Sequence, residues 1–279
     1  MDSPNFIACL GASFAAGLGS AVFILRLRDR ERLRKTCSRT MKWVTRQRSA
    51  LGLDIGRYLT KHNIGYSEKS KVVIIGAGNF GTAMAYVALS SLNKNDVVMY
   101  MRDPDQCECI NKKGYNPKYL SDYKLNRYDS SESRNDNNSV RAICKLSDLR
   151  YELRTPGAII IHALPCQKTP QWFRDNRDLI PPETLICTTT KGLYLPTRQL
   201  MGHAILDALD RVDQPLAFLS GPSFAVEIMK SNPTVLIVAS DQLLHAVKVQ
   251  KLLNNSSSIR IHTSNDPVGV QLGGQYLIL

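Results

Sequence analysis

From residue 71 onward, short apolar runs alternate with amphipathic stretches. Val72–Ile75, Asp96–Met101 (DVVMYM), Gly157–Leu164 (GAIIIHAL), Thr184–Thr189 (TLICTT), Pro215–Leu219 and Thr234–Ser240 each read as a buried strand. Ser258–Thr263 alternates apolar and polar and reads as a half-buried strand. Helical spacing is expected in Asp103–Asn111, Gln171–Leu179, Arg198–Asp210, Ser223–Lys230 and Leu243–Leu253. Strand and helix in alternation imply the α/β class: a Rossmann-type, doubly wound, mainly parallel sheet with helices on both faces. Residues 112–140 include YDSSESRNDNNS and are too polar for a core, so a long exposed loop is expected there. No internal repeat is visible.

The first seventy residues follow a different pattern. Phe6–Leu25 is uncharged and, as a helix, would span about 30 Å, the depth of a bilayer core. A basic block follows. Between Arg26 and Arg48 ten Lys and Arg face only Asp29 and Glu31, so +8 of the chain's net charge of +12 lies there. The remaining +4 is ordinary for an enzyme that handles anions, and aromatic residues are not interleaved with the basic block beyond Trp43. The charge therefore gives little support to nucleic-acid binding. A signal anchor held by the positive-inside rule, a cleaved organelle-targeting sequence and a soluble helix all fit this segment. The expectation is a protein that is membrane-anchored through Phe6–Leu25 or targeted to a plastid, mitochondrion or reticulum. The seven cysteines are odd in number and scattered, which suggests free thiols in a reducing compartment. Cys107 and Cys109 lack the spacing and the second pair of a zinc site, and no metal is expected.

The most informative stretch is Lys71–Ala85, KVVIIGAGNFGTAMA. An apolar strand runs into Gly76-Ala77-Gly78-Asn79-Phe80-Gly81 and then into a small-residue helix. Gly76 suits the tight turn, Gly78 lets a pyrophosphate approach the backbone, and Gly81 lets helix and strand pack closely. The helix N-terminus offers free N–H groups and a positive dipole end to phosphates. NAD or NADP is the expected cofactor. Some twenty residues past the glycines, where an acid would hold the adenosine ribose, the chain has Arg102 followed by Asp103. Arg102 could stack on adenine or take a 2′-phosphate, and Asp103 could hold a ribose hydroxyl. The choice between NAD and NADP stays open.

Three further segments stand in order behind this turn: His162-Ala163-Leu164-Pro165, Thr190-Lys191-Gly192-Leu193 and Leu219-Ser220-Gly221-Pro222-Ser223-Phe224-Ala225-Val226-Glu227. With GAGNFGTAMA, with Asn116-Pro117-Lys118-Tyr119-Leu120, and with residues 265–274 (NDPVGVQLGG), they resemble the NAD(P)-dependent glycerol-3-phosphate dehydrogenases of the bacterial and plastid type. The likeness spans about residues 71–274. It implies hydride transfer between nicotinamide and glycerol 3-phosphate or dihydroxyacetone phosphate. It places Asn79, Phe80 and Ala225 against the cofactor, Gly221 and Ser223 against the substrate, and Lys191 between the two as the catalytic cation. A third possibility, another two-domain hydroxy-acid or ketopantoate-type dehydrogenase, shares the glycine turn but should lack the Ser-Gly-Pro-Ser-Phe-Ala segment.

The resemblance departs after Gly274. Leu277 stands where the family carries its proton-transfer lysine, and the helical substrate domain that should follow is largely missing. The implied organisation is an N-terminal extension over 1–70, a dinucleotide-binding domain over 71–264 and a stub of the helical domain over 265–279. On this reading the chain alone has little activity, and its uncovered apolar surface favours self-association. The alternative is a non-catalytic, dinucleotide-binding isoform that pairs with a full-length partner.

Overall fold

The computed structural model describes residues 70–91, 95–125, 139–254 and 258–276, with the side chains of the last two left aside. The chain divides after Glu68, and the described residues belong to the compact unit that begins at Lys69. The candidate anchor Phe6–Leu25 and the basic block lie outside the described residues, as does Leu277. Among the described residues no helix is long and apolar enough to cross a membrane.

In chain order the first half consists of β1 (Lys71–Ile75), α1 (Asn79–Ser90), β2 (Asp96–Tyr100), α2 (Pro104–Lys113), β3 (Arg141–Ile143), α3 (Leu146–Leu153), β4 (Ile159–His162), α4 (Thr169–Asp175) and β5 (Leu185–Thr188). The second half consists of β6 (Leu193–Tyr194), β7 (Gln199–Leu200), α5 (Met201–Leu209), β8 (Leu216–Ser220), α6 (Ala225–Met229), β9 (Thr234–Ala239), α7 (Leu243–Leu253), β10 (Ile259–Ser264) and α8 (Pro267–Tyr276). Eight strands form one sheet in the order β10-β9-β8-β5-β4-β1-β2-β3. All neighbours are parallel except β8 and β9. The expected doubly wound sheet is thus present, with one antiparallel step.

Strands buried on both faces explain the continuous apolar runs. Val72, Ile74, Met99, Ile161 and Cys187 point into one core layer with α1, and Val73, Ile75, Val98, Ile160 and Ile186 into the other with α3, α4 and α5. The strand starts are pinned by charge. Lys71 pairs with Asp96 (2.6 Å) and Glu152 (2.5 Å), and Arg141 pairs with Glu152 (2.6 Å). Burial works to raise the Glu152 pKa, but the two cations outweigh it and hold the carboxyl below its ordinary value.

Five elements differ from the sequence reading. β3 and α3 occupy residues left without assignment, because a three-residue edge strand carries too little periodicity to register. The helix expected from Arg198 begins at Met201, since Gln199–Leu200 pairs with Leu193–Tyr194 as a small antiparallel ladder.

Candidate active site

The strand order reverses direction of travel between β1 and β4, the point where ligands bind in open α/β sheets. The glycine turn lies at that crevice. Gly76 has φ +107°, which L side chains avoid, and a Cβ there would meet the Ala163 carbonyl oxygen at 2.8 Å. A Cβ on Gly81 would come within 1.9 Å of the Gly76 carbonyl oxygen, so α1 can approach β1 only without a side chain. Gly78 differs: a Cβ there would meet no atom within 4 Å. The space in front of it is open. Gly78 caps α1 without a side-chain hydrogen bond, and the first turn carries no acid. An exposed, uncapped helix N-terminus behind an open glycine fits a pyrophosphate. Asn79 is exposed and Phe80 half-buried at this same end.

The turn is also held from behind. The Ala77 carbonyl accepts from Gln106 Nε2 (3.2 Å) and Asn116 Nδ2 (3.1 Å). Asn116, fully buried, also donates to Thr82 Oγ1 (2.8 Å) and accepts from Gln106 Nε2 (2.7 Å) and from the Lys118 and Tyr119 amides. Sequence reading quoted Asn116 but gave it no role and passed over Gln106. The available signal was a polar residue one turn into a helix whose other core positions are apolar.

Arg102 is exposed just past β2. Asp103 is committed elsewhere: its carboxylate caps α2 by accepting from the Asp105 and Gln106 amides (3.0 and 3.3 Å), and it pairs with Lys118. These contacts, the Lys118 hydrogen bond first, hold its pKa below the ordinary value.

The second cluster sits at the ends of β4, β5 and β8. Lys191, three residues past β5, is half-buried and donates from Nζ to the Gly221 carbonyl (3.1 Å). Desolvation lowers its pKa. The structure therefore joins Lys191 and Gly221 directly. A Cβ on Gly221 would lie 2.8 Å from the Val235 carbonyl oxygen, and one on Gly274 would lie 2.2 Å from Ser220 Oγ and 3.8 Å from Lys191 Cγ. Thus α8 approaches Lys191 and Ser220 through a bare backbone position. Gln271 of α8 accepts from the Gly202 amide at 2.9 Å. The hydroxyls of Ser220 and Ser223 are buried without a hydrogen-bond partner among the described residues. Ala225 opens α6, which packs on α1 and so brings the Ser223 segment beside the glycine helix. Phe224, Val226 and Val235 are exposed at 64%, 45% and 49%.

The Lys191 segment is fastened by His162, at the end of β4. Its carbonyl accepts from the Thr189 amide (2.9 Å) and hydroxyl (3.0 Å), and its ring contacts Thr188 Oγ1 (3.2 Å), Thr190 Oγ1 (3.2 Å) and Thr169 Oγ1 (3.4 Å). Complete burial pushes its pKa down to about 3, so the ring is neutral. Sequence reading assigned it no role, although a histidine closing the run Ile159-Ile160-Ile161 was a visible anomaly. His262 lies apart from this cluster, exposed on the edge strand β10. Among the described residues no group of His, Cys, Asp and Glu could hold a metal ion.

Comparison with known proteins agrees with this geometry. A family profile described as NAD-dependent glycerol-3-phosphate dehydrogenase N-terminus matches residues 71–246. The chloroplastic glycerol-3-phosphate dehydrogenase [NAD(+)] 2 of Arabidopsis thaliana is 36% identical over 204 residues, covering 73% of this chain and 45% of that protein. A glycerol-3-phosphate dehydrogenase [NAD(P)+] of Acinetobacter baumannii is 34% identical over 207 residues, covering 73% and 51%. Among solved structures, the glycerol-3-phosphate dehydrogenase of Coxiella burnetii superposes with a TM-score of 0.61 at 26% identity, covering 74% of this chain and 57% of that one. The chain spans about half the length of the curated relatives it matches. Over residues 71–246 the chain belongs to the NAD-dependent glycerol-3-phosphate dehydrogenase family, in the part that forms its N-terminal domain.

Proposed function

We propose that residues 71–264 hold NAD or NADP for the interconversion of glycerol 3-phosphate and dihydroxyacetone phosphate, and that residues from 265 onward begin the substrate domain. The observation that carries this reading is the open backbone at Gly78 in front of an uncapped helix, at the crevice of the sheet. Gly76, Gly78, Asn79, Phe80 and Gly81 would hold the cofactor's diphosphate end, and Ala225 its other side. The nicotinamide supplies or accepts the hydride when bound. Lys191 would attract the phosphorylated substrate and stabilise the alkoxide-like oxygen that develops as a carbonyl is reduced. Its ammonium is partly desolvated and is held by the Gly221 carbonyl, beside the segment proposed to line the substrate. Gly221 and Ser223 would line the substrate side. The partnerless hydroxyl of Ser223 supports that role, since a buried unpaired hydroxyl marks a place where a polar ligand fits. The commitment of Asp103 to its helix cap and to Lys118 favours Arg102 as the residue that meets the adenosine ribose.

Titration of the full chain with NADH and NADPH, read by nucleotide fluorescence, tests this. Saturable binding that is lost in Gly78→Val supports the glycine turn as the site. No signal at millimolar nucleotide, or full binding in Gly78→Val, would refute it. Competition between the two nucleotides settles the cofactor. Reduction of dihydroxyacetone phosphate tests the activity: Leu277 stands where the family has its second lysine, and general acid–base help is worth ~10²–10⁴-fold. That residue favours the second reading, a cofactor-binding chain that pairs with a longer copy. Binding without turnover, with turnover restored by a longer copy, would establish it. The exposed Phe224, Val226 and Val235 are consistent with such association. Finally, the chloroplastic relatives support an organelle-targeting role for residues 1–70, with Phe6–Leu25 either cleaved or kept as an anchor. Fusing residues 1–70 to a fluorescent reporter tests that role.

A further inference from the structure

Five free cysteines lie among the described residues, and two of them face each other across a helix–strand contact. Helix α2 packs on β3. The contact is registered by Asn111, which donates from Nδ2 to the Ala142 carbonyl (2.9 Å) and accepts the Ala142 amide at Oδ1 (2.8 Å). Asn111 and Ala142 are therefore opposite one another. Because α2 lies between two parallel neighbours, β2 and β3, it runs antiparallel to both. One helical turn back from Asn111, about 6 Å, is Cys107. Two residues on from Ala142, about 6.6 Å in the same direction, is Cys144. Residues i and i+4 of a helix share a face, as do i and i+2 of an extended chain, so both thiols point into the same layer. Cys107, Ala142 and Cys144 indeed pack in one apolar cluster, and the Asn111 amide reaches Cys107 Sγ at 3.7 Å. Burial first, then the Cys144 thiol, push the Cys107 pKa up to about 11. Cys109 is two residues further along α2, about 200° round the helix, and faces away from this contact.

We propose that Cys107 and Cys144 form an oxidisable dithiol, a modification site that closes to an intrachain disulfide when the protein meets a small disulfide oxidant such as glutathione disulfide. Cys144 is the half-buried member and Cys107 the buried one, so reaction starts at Cys144. The Cys144 thiolate attacks one sulfur of glutathione disulfide, forming a mixed disulfide and expelling one glutathione thiolate. The Cys107 thiolate then attacks Cys144 Sγ, the Cys144–glutathione bond breaks, and the second glutathione thiolate leaves. The protein loses two electrons and two protons, and two glutathione thiols take them up. Because the Cys107 thiol resists deprotonation, the second step is the slow one and quickens as pH rises. The bridge ties α2, whose Gln106 holds the glycine turn, to the edge strand of the sheet.

The test is incubation of the full chain with glutathione disulfide at pH 8.5, followed by alkylation, non-reducing tryptic digestion and mass spectrometry. The expected product joins residues 103–112 to residues 142–145 through Cys107, with a mass two hydrogens lower than the sum of the two peptides with Cys109 alkylated, and full reversal by dithiothreitol. Cys109→Ser should give the same bridge in the same yield, which assigns the sulfur without relying on fragmentation. Cys107→Ser should stop at a stable glutathione adduct on Cys144. A wild-type product that stays glutathionylated at Cys144, a bridge through Cys109, or no reaction at Cys144 after overnight exposure would each overturn the proposal.

Discussion

The two halves of the site are finished to different degrees. On the β1 side the polar groups behind the turn have partners: the Ala77 carbonyl is held by Gln106 and Asn116, and Asn116 is itself held by Thr82, Gln106 and the Lys118 and Tyr119 amides. On the β5–β8 side, Ser220 and Ser223 keep buried hydroxyls without partners, and Lys191 keeps a desolvated ammonium on a single carbonyl. The first half is a closed scaffold with one open face, at Gly78. The second holds polar groups whose complements are not among the described residues. Order in the first half comes from packing within this domain; in the second, buried hydroxyls stay unpaired among the described residues.

That contrast can be broken from the scaffold side first. Gly81→Val should cost roughly 5 kcal/mol or more, because its Cβ would overlap a backbone oxygen that cannot move without displacing β1. Circular dichroism should show loss of the cooperative unfolding transition; a melting temperature near wild type would mean that α1 can shift freely. Acid comes next. An unfolded His162 takes up a proton near pH 6.5, and the folded ring does not until about 3, so the unfolded state binds more protons between those values. Stability should fall on the order of 5 kcal/mol as pH drops through that window. His162→Gln should flatten that part of a denaturant-titration series; an unchanged slope would place the acid sensitivity elsewhere.

Asn116→Ala should cost about 2–3 kcal/mol, since it strands Thr82 and part of the Ala77 carbonyl in the core. It should also weaken nucleotide binding, and a loss of stability with affinity intact would separate the clamp from the site. The smallest effect belongs to the other half. Lys191→Met should leave stability within about 1 kcal/mol, because the ammonium is partly desolvated and gains little from one carbonyl. The folded lysine's pKa is lowered, so the unfolded chain binds more protons just below pH 10.5 and wild-type stability rises with pH there. The methionine variant should lack that rise. A large destabilisation by Lys191→Met would show that the second half is as closed as the first.

Much of this was legible because the sheet is buried on both faces. Continuous runs such as Ile159–Ile161 and the glycines at 76 and 81 follow from local sterics, and the structure puts that glycine turn where the strand order reverses. Contacts between distant segments were not legible. Gln106 and Asn116 reach Ala77 from 29 and 39 residues away, and no periodicity encodes which carbonyl they find. Short elements were lost for a related reason: Arg141–Ile143 is a strand only because β2 offers it an edge. Asp103 looked available for a ribose, but its position just ahead of Pro104 made it a helix cap.

The perch of Lys191 has a consequence for how this domain can change. Its ammonium rests on a main-chain oxygen at Gly221, and the close approach of the Val235 carbonyl keeps that residue bare. Substitutions nearby can therefore alter polarity and reach, but they have little purchase on where the positive charge sits. Its address is written in the backbone, and drift in the surrounding side chains leaves it in place.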